Sequence, residues 1–182
     1  MMKELSRSLL QVCSIAIAIL FAAVSMLTTA TETLSSEFKV GELKIEEVWS
    51  RATPKGAKVG AGYLKITNAG SKPDRLVDAK TSISDRVEIH EMSMSGGIMR
   101  MRRLPKGLEI PAGQSATLRP GGYHLMFMEL QEAIKKGQLF KATLVFEQAG
   151  QVVVEFKASG IGAAAPSRSH SGSHSGAAED KK

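Results

Sequence analysis

Cysteine is all but missing from this chain: Cys13 is the single one in 182 residues. Histidine numbers four, proline six and tryptophan one, and aromatics make up 5%. Each shortage removes a class of protein. One thiol makes no disulfide framework, and no thiolate metal site or thiol catalysis is expected if Cys13 leaves with the N-terminus. The formal charge of +6 is scattered over Lys39, Lys44, Lys55 and Lys58, then Arg100, Arg102 and Arg103, then Lys135 and Lys136. No basic patch is interleaved with aromatics, so a nucleic-acid surface is not expected. A nucleophile elbow, a phosphate loop and a paired-carboxylate motif are also lacking. His90 does have Glu88 and Glu91 as neighbours, the minimum for acid–base work, but such proximity is common by chance.

What the first 30 residues do have is a leader. Lys3 and Arg7 precede "VCSIAIAILFAAVSML", an uncharged run of 16 residues from Val12 to Leu27. Small residues Thr28 and Ala30 follow, suited to cleavage after Ala30. Residues 1–30 read as a secretory signal peptide; the run falls short of the roughly 20 residues that span a bilayer comfortably. Lipidation of Cys13 fits badly, because Val12 precedes it and no apolar run lies upstream. Export is therefore expected, with stability supplied by an ordinary core.

Residues 31–37 form a polar lead-in. From Phe38 to about Ala158 the chain reads as short strands punctuated by Gly, Pro, Asn and Ser: "FKVGELKIEEVWSR", "GYLKITNAG", "DRLVDAKT", "DRVEIHEM", "GIMRMRRL", "GLEIPAG", "SATLRPGG", "YHLMFMEL", "QLFKATLVFE" and "QVVVEFKA". "FEQAGQVVVEF" reads as a hairpin turning at Ala149-Gly150. Only "MELQEAIKKGQ" has helical composition. Eight to nine antiparallel strands without long helices imply an all-β fold, either a β-sandwich or a Greek-key barrel. From Ser159 to Lys182 the chain turns to Gly, Ala, Ser and charge, a composition that does not bury enough surface to order itself. This tail holds His170 and His174, spaced to catch Cu(II) or Zn²⁺ weakly or to sit idle in a solvated linker.

Six of the nine methionines fall between Met92 and Met128, and the other three lie in the leader. Side chains two apart on a strand share a face. Glu88, His90, Met92 and Met94 therefore line up on one strand, Met99 and Met101 on a second, and His124, Met126 and Met128 on a third. Val87, Ile89, Tyr123, Leu125 and Phe127 supply a core stripe on the opposite faces. A methionine stripe is ordinarily gap-filling core. Three such stripes, two carrying histidine, make metal binding an equal alternative. Thioether sulfur is soft and uncharged, and with imidazole and no thiolate it suits Cu(I). A type 1 electron-transfer copper site is excluded, since it needs a cysteine beside two histidines. Such a site would weaken as its histidines protonate, around their ordinary pKa of about 6.5.

Two stretches, "VWSRATPKGAKVGAGYLKITNAG" and "VEIHEMSMSGGIMRMRRLPKGLEIPAGQSATLRPGGYHLMFM", closely resemble the PCuAC family of periplasmic copper chaperones. The resemblance covers about Phe38 to Lys157. Its motif is a His, ten residues, a Met, a little over twenty residues, then His-x-Met. Here it falls on His90, Met101, His124 and Met126, with 22 residues between Met101 and His124. The resemblance implies a cupredoxin-like Greek-key β-sandwich over residues 38–158, followed by the His-containing tail of residues 159–182. It implies a Cu(I) site formed by those four residues, leaves open whether Met92 or Met99 also ligates, and matches the tail weakly to a second site for Cu(II). It also implies delivery of copper toward the CuA centre of cytochrome c oxidase, through oxidase subunit II or another copper chaperone. A monomer that meets the membrane only through its partner is expected. Sequestration of copper in the envelope is the alternative function, and a structural sandwich whose methionines merely pack is the alternative from another class.

Overall fold

Alternation of apolar and polar residues, period two, builds the described residues into strands alone. The computed structural model of the chain describes residues 37–166. Eleven strands follow one another: β1 Phe38–Val40, β2 Leu43–Arg51, β3 Val59–Asn68, β4 Asp74–Thr81, β5 Ser84–Ser95, β6 Ile98–Arg103, β7 Leu108–Ile110, β8 Ser115–Leu118, β9 Tyr123–Leu130, β10 Leu139–Phe146 and β11 Gly150–Ser159. They hydrogen-bond in the order β6-β5-β9-β8-β3-β2-β11-β10-β4-β7, with β1 on β2 and a further pairing of β9 with β3. Only Ser82 and Ile83 separate β4 from β5, yet these strands lie near opposite ends of the path. The sheet therefore folds over on itself into a cupredoxin-like β-sandwich, open along its edges.

One apolar cluster fills the sandwich, including Ile45, Leu64, Leu125, Phe127, Leu144 and Phe156. At its centre Phe140 and Phe156 stack with centroids 5.3 Å apart, and Phe127 meets both edge-on at 5.5 and 5.6 Å. Edge-to-face and offset contacts of this kind suit the ring quadrupoles. Room for Phe127 comes from β3. A Cβ added at Gly62 would stand 2.7 Å from the Phe127 Cζ and 2.9 Å from Phe156. Gly60 and Gly62 pair with Phe127 and Leu125, so the two glycines let β9 lie close against β3.

Several expectations need correction. The strands number eleven because Gly41, at φ 54°, turns "FKVGELKIEEVWSR" into the hairpin β1–β2, and because β7 and β8 each make short pairings. The sheet is not wholly antiparallel: β11 returns parallel to β2, and β8 meets β9 through one parallel bridge. "MELQEAIKKGQ" forms no helix. After β9 it runs as loop, with Ile134 almost fully buried, its N–H donating to the Thr53 Oγ1 at 2.9 Å and its carbonyl accepting from the Thr53 N–H at 2.9 Å. A segment this short is marginal as a helix, and burial of Ile134 decides the outcome. The β10–β11 hairpin forms as expected, with Gly150 at φ 88°.

Strand β2 is interrupted near its middle. The β2–β3 register shifts between Glu46 and Trp49, and Glu47 adopts φ 53°. This β-bulge inserts a residue and reverses the facing of the residues after it. Ile45, before the bulge, pairs with core residue Ile66. Trp49, after it, pairs with Tyr63 on the outer face, ring centroids 4.5 Å apart.

Candidate metal centre

The outer face of β5, β6 and β9 gathers the soft donors. In β5, Val87 and Ile89 enter the core, which turns Glu88, His90 and Met92 outward. In β9, Leu125 and Phe127 are wholly buried, which turns His124 and Met126 the same way. Register then fixes who meets whom. His90 lies opposite His124, Glu88 opposite Met126, Met92 opposite Met101 and Met94 opposite Met99. Directly opposed residues of an antiparallel pair share a face, with Cβ atoms about 4.5–5.5 Å apart.

Met92, Met101, His124 and Met126 line one cleft of about 260 Å³, with Arg51 and Tyr63 among the other walls. Ala61 stands opposite Met126 and keeps that side open. Tyr63 reaches the cleft on the face to which the β2 bulge delivers Trp49 and Arg51, and the Arg51 guanidinium lies 5.8 Å from the Tyr63 ring centre. His90 does not line the cleft; its ring sits 5.8 Å from that of His124 at 43°. A larger hollow of about 780 Å³ shares Ala52 and Thr53 with this cleft but has neither histidine nor methionine in its walls.

Hydrogen bonds settle which nitrogen of each ring is free. Nδ1 of His124 lies 3.0 Å from the Gly122 carbonyl. A carbonyl only accepts, so Nδ1 carries the hydrogen and Nε2 keeps the lone pair. Nε2 of His90 lies 2.8 Å from the Glu88 Oε2. That carboxyl is held below its usual range, chiefly by its bond to His90 and further by Arg103 and Arg86, with burial opposing. An ionised carboxylate also only accepts, so Nε2 of His90 donates, and in the neutral ring Nδ1 keeps the lone pair. This Nδ1 is buried and has no hydrogen-bond partner. Each imidazole thus has one nitrogen tied to an oxygen and the other unspent, the arrangement that fixes metal-ligating histidines.

Burial is the main force on His124. It pushes the imidazole below its ordinary range, with nearby His90 adding to the effect and the Gly122 bond opposing it. The unfolded chain then binds more protons than the folded one once the pH drops below about 6.5, so stability falls from there downward. The Glu88 carboxyl adds a second loss, setting in below about 4.5 as the group protonates toward its depressed folded value. Urea midpoints at pH 7, 6 and 5 are expected to decline, and His124→Leu is expected to flatten the decline.

Sequence spacing placed the four candidates on the correct faces, yet it left Met92 outside the main set. The signal was present: "HEM" at His90 mirrors "HLM" at His124. Glu91, the other neighbour of His90, points the opposite way and pairs with Arg102 at 2.6 Å. Among the described residues no three His, Cys, Asp or Glu side chains cluster as a metal site. The leader, His170 and His174 lie outside the described residues.

Fold and face together define a cupredoxin-like domain without the cupredoxin cysteine. Residues 43–158 match the model of a family described as putative lipoprotein LpqE-like, and the chain belongs to that PCuAC-like family. It is 31% identical over 104 residues to a putative lipoprotein of Leifsonia xyli, an alignment covering 57% of this chain and 61% of the relative. It is 24% identical over 97 residues to an uncharacterized protein of Rickettsia prowazekii, covering 53% and 54%. The chain thus spans less than two thirds of either curated relative. Among solved structures, the copper-bound PCuAC domain from PmoF2 superposes with a TM-score of 0.59 at 28% identity, covering 68% of this chain and 97% of that one. The Cu(I) form of DR1885 from Deinococcus radiodurans superposes with a TM-score of 0.53 at 26% identity, covering 71% and 85%.

Proposed function

We propose that residues 38–158 form a domain that carries Cu(I), held by His90, Met101, His124 and Met126, and delivers it toward the CuA site of cytochrome c oxidase. The observation that carries this reading is the pair of imidazoles, each oriented by an oxygen acceptor and each with its second nitrogen unspent, on the face that also bears Met101 and Met126. His90 would ligate through Nδ1 and His124 through Nε2, and Met92 is close enough to exchange with Met101. Neutral thioethers hold a monovalent soft ion without burying counter-charge. Export, by the leader or as a lipoprotein like the named relative, would place the domain in the periplasm, where methionine persists and a thiol would be oxidised. The acceptor would be oxidase subunit II or another copper chaperone.

The sequestration reading is disfavoured by exposure. Met101 is 53% exposed, which leaves an acceptor's ligands a path to the ion before the donor's let go. The ion then moves by ligand exchange, with no change of oxidation state. The His90–Glu88 pair serves to orient a ligand rather than to move protons for a reaction. Anaerobic titration with Cu(I) against a chromophoric chelator tests binding: a tightly held equivalent is expected, and protein that stays empty overturns the reading. A deletion strain tests delivery. Lost oxidase assembly at low copper is the expected phenotype, whereas sensitivity confined to high copper would support sequestration.

A further inference from the structure

The hairpin β5–β6 continues past the cleft, and its two faces differ in chemistry. One face carries Glu91, Ser93 and Ser95 opposite Arg102, Arg100 and Ile98, with Glu91 and Arg102 ion-paired. The other carries Met92 opposite Met101 and then Met94 opposite Met99. Beyond the histidines, every apolar residue on that second face is a methionine. Met94 is 65% exposed and Met99 56%. Methionine also serves as gap-filler and on adaptable docking surfaces, but there it is mixed with other apolar residues. Four in two consecutive opposed pairs, in line with a His/Met cleft, are a specific chemical choice.

We infer that Met94 and Met99 form a second, outer Cu(I) site, through which the ion enters or leaves the cleft. The inference rests on the copper reading of the inner site and extends it. Opposed Cβ atoms about 4.5–5.5 Å apart let two flexible thioethers converge on one ion. The next pair inward, Met92 and Met101, lies two residues along each strand, about 7 Å away at the rise of an antiparallel strand. Either of its sulfurs can supply a third donor and then draw the ion inward. Two or three exposed thioethers bind weakly, which is what a transfer step needs: the ion stops there, held by soft donors, without being trapped. Only Cu–S bonds form and break, copper stays monovalent throughout, and no proton moves, so this step does not depend on the histidines being neutral. The flanking turn, Gly96 at φ 59° and Gly97 at φ 76° with open space around each, closes the hairpin with no side chain over the outer pair.

The test is anaerobic Cu(I) titration of the purified protein bearing ¹³C-methyl methionine. The first equivalent is expected to shift the methyl signals of Met101 and Met126, and the second those of Met94 and Met99. The double variant Met94→Leu/Met99→Leu keeps the apolar area and removes the sulfur. It is expected to hold the first equivalent with unchanged affinity, lose the second, and pass copper to a Cu(I) chelator several-fold more slowly. If Met94 and Met99 stay unmoved through two equivalents while Met126 responds, the outer site is wrong and the inner reading survives. If no methionine responds, the inner reading has failed. Retention of the second equivalent and of the normal transfer rate by the leucine variant would also overturn the outer site.

Discussion

Replacing His124 by alanine is expected to weaken Cu(I) binding by about a hundredfold or more. Loss of a group that merely orients a metal ligand costs about 10- to 100-fold, and His124 would be a ligand itself. A hundredfold corresponds to about 2.7 kcal/mol of binding free energy. His124 is 6% exposed and its Nδ1 spends its hydrogen on Gly122, so the variant also leaves a small void and takes one of two donors from the Gly122 carbonyl, the Met92 N–H at 3.1 Å remaining. Urea unfolding of the copper-free variant separates that structural loss from the binding loss. Met126→Leu makes a cleaner comparison, since it preserves volume and removes only the sulfur. Glu88→Gln should sit between wild type and these variants at roughly tenfold, because it weakens the grip on the His90 tautomer without removing a donor. If all three bind Cu(I) as wild type does, the ligand assignment is wrong.

Truncating Phe127 to alanine is expected to cost about 3–5 kcal/mol of folding stability. The ring is wholly buried and packs edge-on against both Phe140 and Phe156. Gly60 and Gly62 face it from β3 and have no side chains to collapse into the space, which favours the upper end of the range. Small domains have only about 5–15 kcal/mol in total, so the variant should unfold at much lower urea. Phe127 lies between Met126 and Met128 on β9 but on the opposite face, so it would affect copper binding only through the fold. Saturating Cu(I) should therefore restore part of the midpoint, by about 2.7 kcal/mol at a hundred times the dissociation constant. A loss below about 1 kcal/mol would show that the aromatic trio is not the centre of the core.

Legibility followed periodicity. Strand β9 was readable from end to end in "YHLMFMEL", because strict alternation assigns both faces at once, and the same logic placed Val87 and Ile89 inward and His90 outward. What escaped was non-local. Alternation gives no hint of the bulge at Glu47, which sends Trp49 and Arg51 to the side of the cleft. It gives no partner for β11, whose parallel neighbour β2 lies a whole domain earlier in the chain. The helical composition of "MELQEAIKKGQ" misled because burial of Ile134 outweighs a few residues' propensity. Met92 was on the right face, and motif spacing left it open as a further donor. Its opposition to Met101 across the hairpin brings it to the cleft, and spacing along one strand says nothing about opposition. The free nitrogens of His90 and His124 depend on Glu88 and Gly122, contacts that exist only once side chains are placed.

Sliding β9 by one position against β5 would invert the strand, driving His124 and Met126 into oil and lifting Leu125 and Phe127 into water. The greasy side of the strand therefore decides which way His124 and Met126 face, and those two side chains need not hold the strand in register. Freed from that duty, they can be chosen for how readily they let go.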